Sequence, residues 1–120
     1  MGYTDLEECL QQFRSTVNAN QQVKKILAGW DRTILLEATD TQSLLTLVVQ
    51  DRMVTDLKAG APDENEDNLI HLQASEENLI KIFSGQYDAS TALIDGELAV
   101  FSSEKDKVKL EAVSIVLWGM

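Results

Sequence analysis

Three sets of side chains are of the types that do chemistry: His71, Cys9 and the acidic run Asp63-Glu64-Asn65-Glu66-Asp67. A histidine can move a proton near neutral pH or ligate a metal, but His71 has no second histidine to work with. It alternates with Ile70 and Leu72, so it points away from their apolar face and reads as a surface residue. Cys9 falls in register with Leu6, Leu10, Phe13 and Val17, where a thiol behaves as a small hydrophobe. A nucleophile needs a base, and the spacing places none beside it. The acidic run offers oxygen ligands for a hard cation, yet the twelve-position calcium loop with its central Gly and terminal Glu is missing. It reads as a solvated loop. Glu76-Glu77 belong to the first turn of a helix, where negative charge complements the macrodipole, rather than to an acid–base pair. No catalytic residue, metal site or cofactor is expected, and the chain is not read as an enzyme.

The elements around these residues are legible from period and caps. Leu6, Cys9, Leu10, Phe13 and Val17 recur at helical spacing behind Thr4, whose hydroxyl with Glu7 makes a capping box. Asn18-Ala19-Asn20 interrupts, and a second short helix carries Val23, Ile26 and Leu27 to Gly29. From Thr33 the period becomes two, with Ile34, Leu36 and Ala38 on one face and Thr33, Leu35 and Glu37 on the other. Leu44 to Val49 and Met53 to Lys58 read as a hairpin, and Leu69 to Gln73 as a fourth strand. Ser75 caps a helix with inner residues Leu79, Ile82 and Phe83, ending at Gly85. Asp88 caps a short helix that Gly96 terminates, Leu98 to Phe101 form a last strand, and Ser102 or Ser103 caps a final helix. Val108, Ala112, Ile115 and Val116, with Leu110, Val113 and Leu117, cover more than half of that helix, so it should be buried. The fold class is α+β: a five-stranded, mainly antiparallel sheet with about five helices on one face.

Length and charge set further bounds. At 120 residues the chain reads as one domain, residues 1–120. Its formal charge of −10 repels phosphate backbones, which excludes nucleic acid as an expected partner, and allows transient membrane contact at most. One cysteine cannot form an intrachain disulfide, no signal peptide or eighteen-residue apolar run occurs, and Leu6 spoils the myristoylation pattern after Met1-Gly2. A cytoplasmic location is expected.

The stretch from Asp67 to Leu117 resembles the second half of the sterol carrier protein type 2 family. It holds a helix opened by Ser-Glu-Glu, then Gly85 ending that helix, Asp88 capping the next, Ala92 with Leu93, and Gly96 leading to Leu98 and Val100. Gly29-Trp30-Asp31-Arg32-Thr33 opens the sheet in a similar way, and the order of elements matches over nearly the whole chain. Ser102 stands where the family usually has another Gly, with the ring of Phe101 expected near the pocket rim. The resemblance implies a tunnel between sheet and helices for a fatty-acyl, sterol-like or polyprenyl group, without catalytic residues. Trp30, Met53, Leu79, Phe83, Leu93, Leu98, Val100, Val113 and Leu117, with Ile82, are the expected walls. The alternative from another class is a homodimerisation or interaction module with the same fold and a filled core.

Overall fold

The computed structural model describes residues 5–62 and 68–119. The acidic run 63–67 and Thr4 lie outside the described residues, and with them the solvated-loop reading and the Thr4 cap. The first helix, α1 (Leu6–Ala19), is capped by Asp5, whose carboxylate accepts from the Glu8 amide at 2.8 Å. Asn20 ends α1 and its side chain caps α2 (Gln21–Ile26). The sheet follows as β1 (Arg32–Ala38), β2 (Ser43–Gln50), β3 (Met53–Ala59) and β4 (Leu69–Ala74), then α3 (Glu76–Phe83), α4 (Ala89–Ile94), β5 (Ala99–Phe101) and α5 (Glu104–Trp118). The caps Ser75, Asp88 and Ser103 each accept a first-turn amide, as their residue types require.

The strands lie in the order β3-β2-β1-β4-β5. β1 pairs antiparallel with β2 and parallel with β4, so the sheet is mixed with one parallel ladder at its centre. Alternation decides the faces. Ile34, Leu36 and Ala38 of β1, Leu45, Leu47 and Val49 of β2, and Ile70, Leu72 and Ala74 of β4 are all buried toward the helices. On the opposite face His71 accepts or donates with Glu37 at 2.9 Å, Gln73 donates to the same carboxylate at 3.0 Å, and the Phe101 ring lies 5.6 Å from the imidazole.

The β2–β3 turn is made by Asp51 and Arg52, both with positive φ, which is the type I′ geometry that matches strand twist. Register then shifts between Val48 and Val49, a bulge that places Val54 and Leu57 opposite Val49 and Leu47 although they are three residues apart. Beyond β3 there is no further strand among the described residues. Its edge is met by α1 instead: the Asn18 amide pairs in both directions with Val54, donating to the carbonyl at 2.9 Å and accepting from the N–H at 2.8 Å. Arg14 donates to the carbonyls of Val54 and Thr55 at 3.2 and 2.9 Å.

Candidate functional site

The helical layer divides into two parts. Under α1 and α3 the interior is solid: Leu6, Leu10, Leu36, Leu47, Ile70 and Leu79 have no more than 1% exposure and belong to one continuous cluster. Cys9 lies in that cluster and donates weakly to the Ile80 carbonyl at 3.5 Å, and burial pushes its thiol up to about 11. It is a packed thiol in its neutral form, unsuited to nucleophilic work at pH 7.

Under α5 the layer is hollow. Both ends of that helix are tied down, each by different physics. At its first turn Asp106, buried, accepts from the Trp30 indole at 2.7 Å and from Arg32 Nε at 3.1 Å, while the Arg32 guanidinium sits 5.5 Å from the Trp30 ring. Lys109 then donates to the Ile26 carbonyl at the end of α2, 2.9 Å away, where a cation complements the helix terminus. At its last turn Trp118 lies on Gly85, so closely that a Cβ there would meet the indole at 2.5 Å, and 6.1 Å from Phe13. Gly85 has a φ of +79°, so glycine serves there twice: as the left-handed terminator of α3 and as the seat for the ring.

Between these attachments lies a cavity of about 80 Å³. Its sheet side is Leu72, Leu98 and Val100, its inner end Phe13, Ile82 and Phe83, and its remaining walls Ala89, Ser90 and Leu93 of α4 and residues of α5 from Lys107 to Trp118. Phe13 and Phe83 meet edge to face at 5.0 Å, a geometry that closes that end with aromatic carbon. The polar lining residues, Ser90, Lys107, Glu111 and Ser114, all come from α4 and α5 and none is buried, so the cavity is apolar within and polar at its mouth. Ser90 Oγ reaches Glu111 Oε1 across that mouth at 3.4 Å.

Five of the nine expected wall residues line this cavity, namely Phe83, Leu93, Leu98, Val100 and Val113, as does Ile82. The other four fall outside the lining. Trp30 is held by Asp106, and Leu79 is sealed in the solid part between α1 and β1. Leu117 packs on the core beside Trp118, which lines the cavity in its place. Met53 pairs with Gln50 on the sheet face away from the helices and is exposed. Phe101 is likewise on that far face against His71 rather than at the rim. Phe13, Leu72, Ala89, Leu110 and Trp118 were missed. The i, i+4, i+8 stripe Leu110-Ser114-Trp118 was the available signal for two of them. The expectation that α5 is buried is met only in part: of its apolar residues only Val113 is fully buried, and Val108 and Ile115 face outward. Among the described residues no group of three or more His, Cys, Asp or Glu is placed to hold a metal ion. No helix among them is long and apolar enough to cross a membrane.

Fold and cavity together define a class: a helix-on-sheet α+β domain with an apolar hollow under its last helix. The chain belongs to the SCP-2 sterol transfer family, whose sequence pattern matches residues 6–101. Solved structures agree on the fold. A UbiJ-SCP2 ubiquinone synthesis protein superposes with a TM-score of 0.68 at 13% identity, covering 89% of this chain and 90% of that one. The palmitated SCP2L2 from Aedes aegypti gives 0.63 at 12% identity, covering 92% and 95%. The inverting sec-alkylsulfatase Pisa1 from Pseudomonas sp. gives 0.61 at 18% identity over 81% of this chain, which spans only 14% of that enzyme's length. Comparison with curated protein sequences finds no match.

Proposed function

We propose that this domain binds and carries the hydrocarbon part of a lipid, non-enzymatically, in the cavity between β4–β5 and α5. The observation that carries this is the contrast within the cavity: aromatic and aliphatic side chains inside, with every polar lining residue at the mouth. Family membership and the palmitated relative support the same ligand class. At about 80 Å³ the space is smaller than the roughly 150 Å³ apolar cavity known to admit benzene. A long chain therefore enters by displacing α5, and each buried methylene contributes roughly 0.8 kcal/mol toward that movement. The end to yield is the Trp118 end, where the indole rests on Gly85 by van der Waals contact, while the other carries charge-assisted hydrogen bonds. A water-borne carrier of this kind fits a cytoplasmic setting. The cavity weighs against the competing reading, an interaction module with a filled core.

Titrating laurate or palmitate into the purified protein tests the proposal. Native mass spectrometry is expected to show a one-to-one complex, and the melting temperature to rise, with a gain of about 2.7 kcal/mol at a hundredfold excess over the dissociation constant. Val113→Phe, which fills the hollow from the α5 side, should abolish both. A wild-type protein that neither takes up fatty acid nor gains stability would sink the reading.

A further inference from the structure

We infer, resting on the lipid-carrier reading, that the α4–α5 face is a docking surface for an uncharged lipid bilayer, which presents the cavity mouth directly to the membrane. Three large aliphatic side chains stand in water there: Ile94 at 85% exposure, Val108 at 62% and Ile115 at 57%. Each directly follows a cavity-lining residue, Leu93, Lys107 and Ser114 respectively, so they project from the same turns as the lining but about 100° round the helix from it. On α5, Val108 and Ile115 are two turns apart and project along one line, with the rim residue Glu111 beside it. This explains a helix whose apolar residues cover more than half of its circumference, since one side meets the core and another is left free.

The partner's chemistry follows from area and charge. The three side chains expose on the order of 400 Å², about half of the roughly 800 Å² per partner that a stable protein interface buries. A second copy seated there would also cover the mouth. Insertion of a few aliphatic side chains into a lipid interface needs no such area. Helix α5 carries Lys105, Lys107 and Lys109 against Glu104, Asp106 and Glu111 and is neutral, while Asp88, Asp95 and Glu97 flank the α4 side of the face in a chain of net charge −10. The face as a whole is therefore acidic like the rest of the chain, so anionic lipid repels it and an uncharged, zwitterionic surface is the bilayer that admits these aliphatic side chains.

Flotation with phosphatidylcholine vesicles tests the inference. Wild-type protein, monomeric by light scattering, is expected to float with the vesicles. Ile94→Gln combined with Ile115→Gln should lower partitioning about tenfold or more, Val108→Gln should lower it less, and Phe101→Gln, on the far sheet face, should leave it unchanged. Replacing a third of the lipid with phosphatidylglycerol should weaken wild-type binding, a comparison that needs no variant. Laurate supplied below its micellar concentration separates this inference from the one beneath it. The double variant should still load laurate from solution while losing transfer from vesicles. Wild type that loads laurate but does not float, or floats equally well as the double variant, overturns docking and leaves the carrier reading standing. A dimer that Ile115→Gln splits overturns it in favour of a second copy. Failure to load laurate by any route strikes the carrier reading itself.

Discussion

The α1–α3 half and the α5 half of the helical layer use the same sheet and the same residue types, yet one is solid and the other hollow. In the first, Leu10, Leu36 and Leu79 come from three elements and meet with no exposure left. In the second, α5 is fixed at one end by Asp106 on Trp30 and Arg32 and at the other by Trp118 on Gly85. Those attachments set the height of the helix. The side chains between them, Leu110, Val113 and Ser114, are too short to reach Leu72 and Val100 and fill the space. A hollow therefore needs no special residue type, only a helix held off its sheet by contacts at its ends.

The comparison can be broken most directly at Leu36. Leu36→Ala should cost about 2–5 kcal/mol, since a close-packed site cannot collapse around the lost volume, whereas Leu110→Ala at the cavity wall should cost about 1 kcal/mol. Urea unfolding of the two variants measures the difference, and equal losses would mean that the two halves are packed alike. Asp106→Ala removes the polar attachment and leaves the buried Trp30 N–H unpaired, with an expected loss of about 2 kcal/mol and a shifted Trp30 emission. Gly85→Ala should cost about 1–2 kcal/mol through its positive φ and the displaced indole. It should redden Trp118 fluorescence and speed fatty-acid uptake if the cavity opens at that end. The smallest effect belongs to the uncovered sheet face. Hydrogen bonds from Gln73 and then His71 hold the Glu37 carboxyl below its ordinary value of 4.5. Its contribution to stability is present above that value and lost as pH falls through the lowered one. Glu37→Gln should therefore lower stability slightly at neutral pH and flatten the acid limb below about pH 4.5, so that the two proteins converge as the carboxyl protonates.

Much of the fold could be read before the structure because it rests on local chemistry. Ser75, Asp88 and Ser103 cap where their hydroxyls and carboxylate can accept, and Gly85 and Gly96 end helices with positive φ. Alternation placed Ile34, Leu36, Ile70 and Leu72 inward. Local pattern ran out where distant contacts decide. Met53 was counted among the walls as an apolar residue with no face assigned to it, and the bulge at Thr55 sets it on the opposite face from Leu57. The Trp30 indole has a partner 76 residues away, which no local pattern reveals. Along α5 apolar residues cover more than half of the circumference, so period could not say which of them face the hollow, and Leu117 was named where Trp118 lines it.

The contacts of Asn18 and Arg14 with Val54 and Thr55 have a consequence for solubility. An outermost strand ordinarily offers unpaired amides and carbonyls to any extended chain that drifts by, the first step toward fibrils. Here a helix supplies the amide and guanidinium groups that a neighbouring strand would, so part of the β3 template is already occupied. The domain thereby closes off part of one route to aggregation.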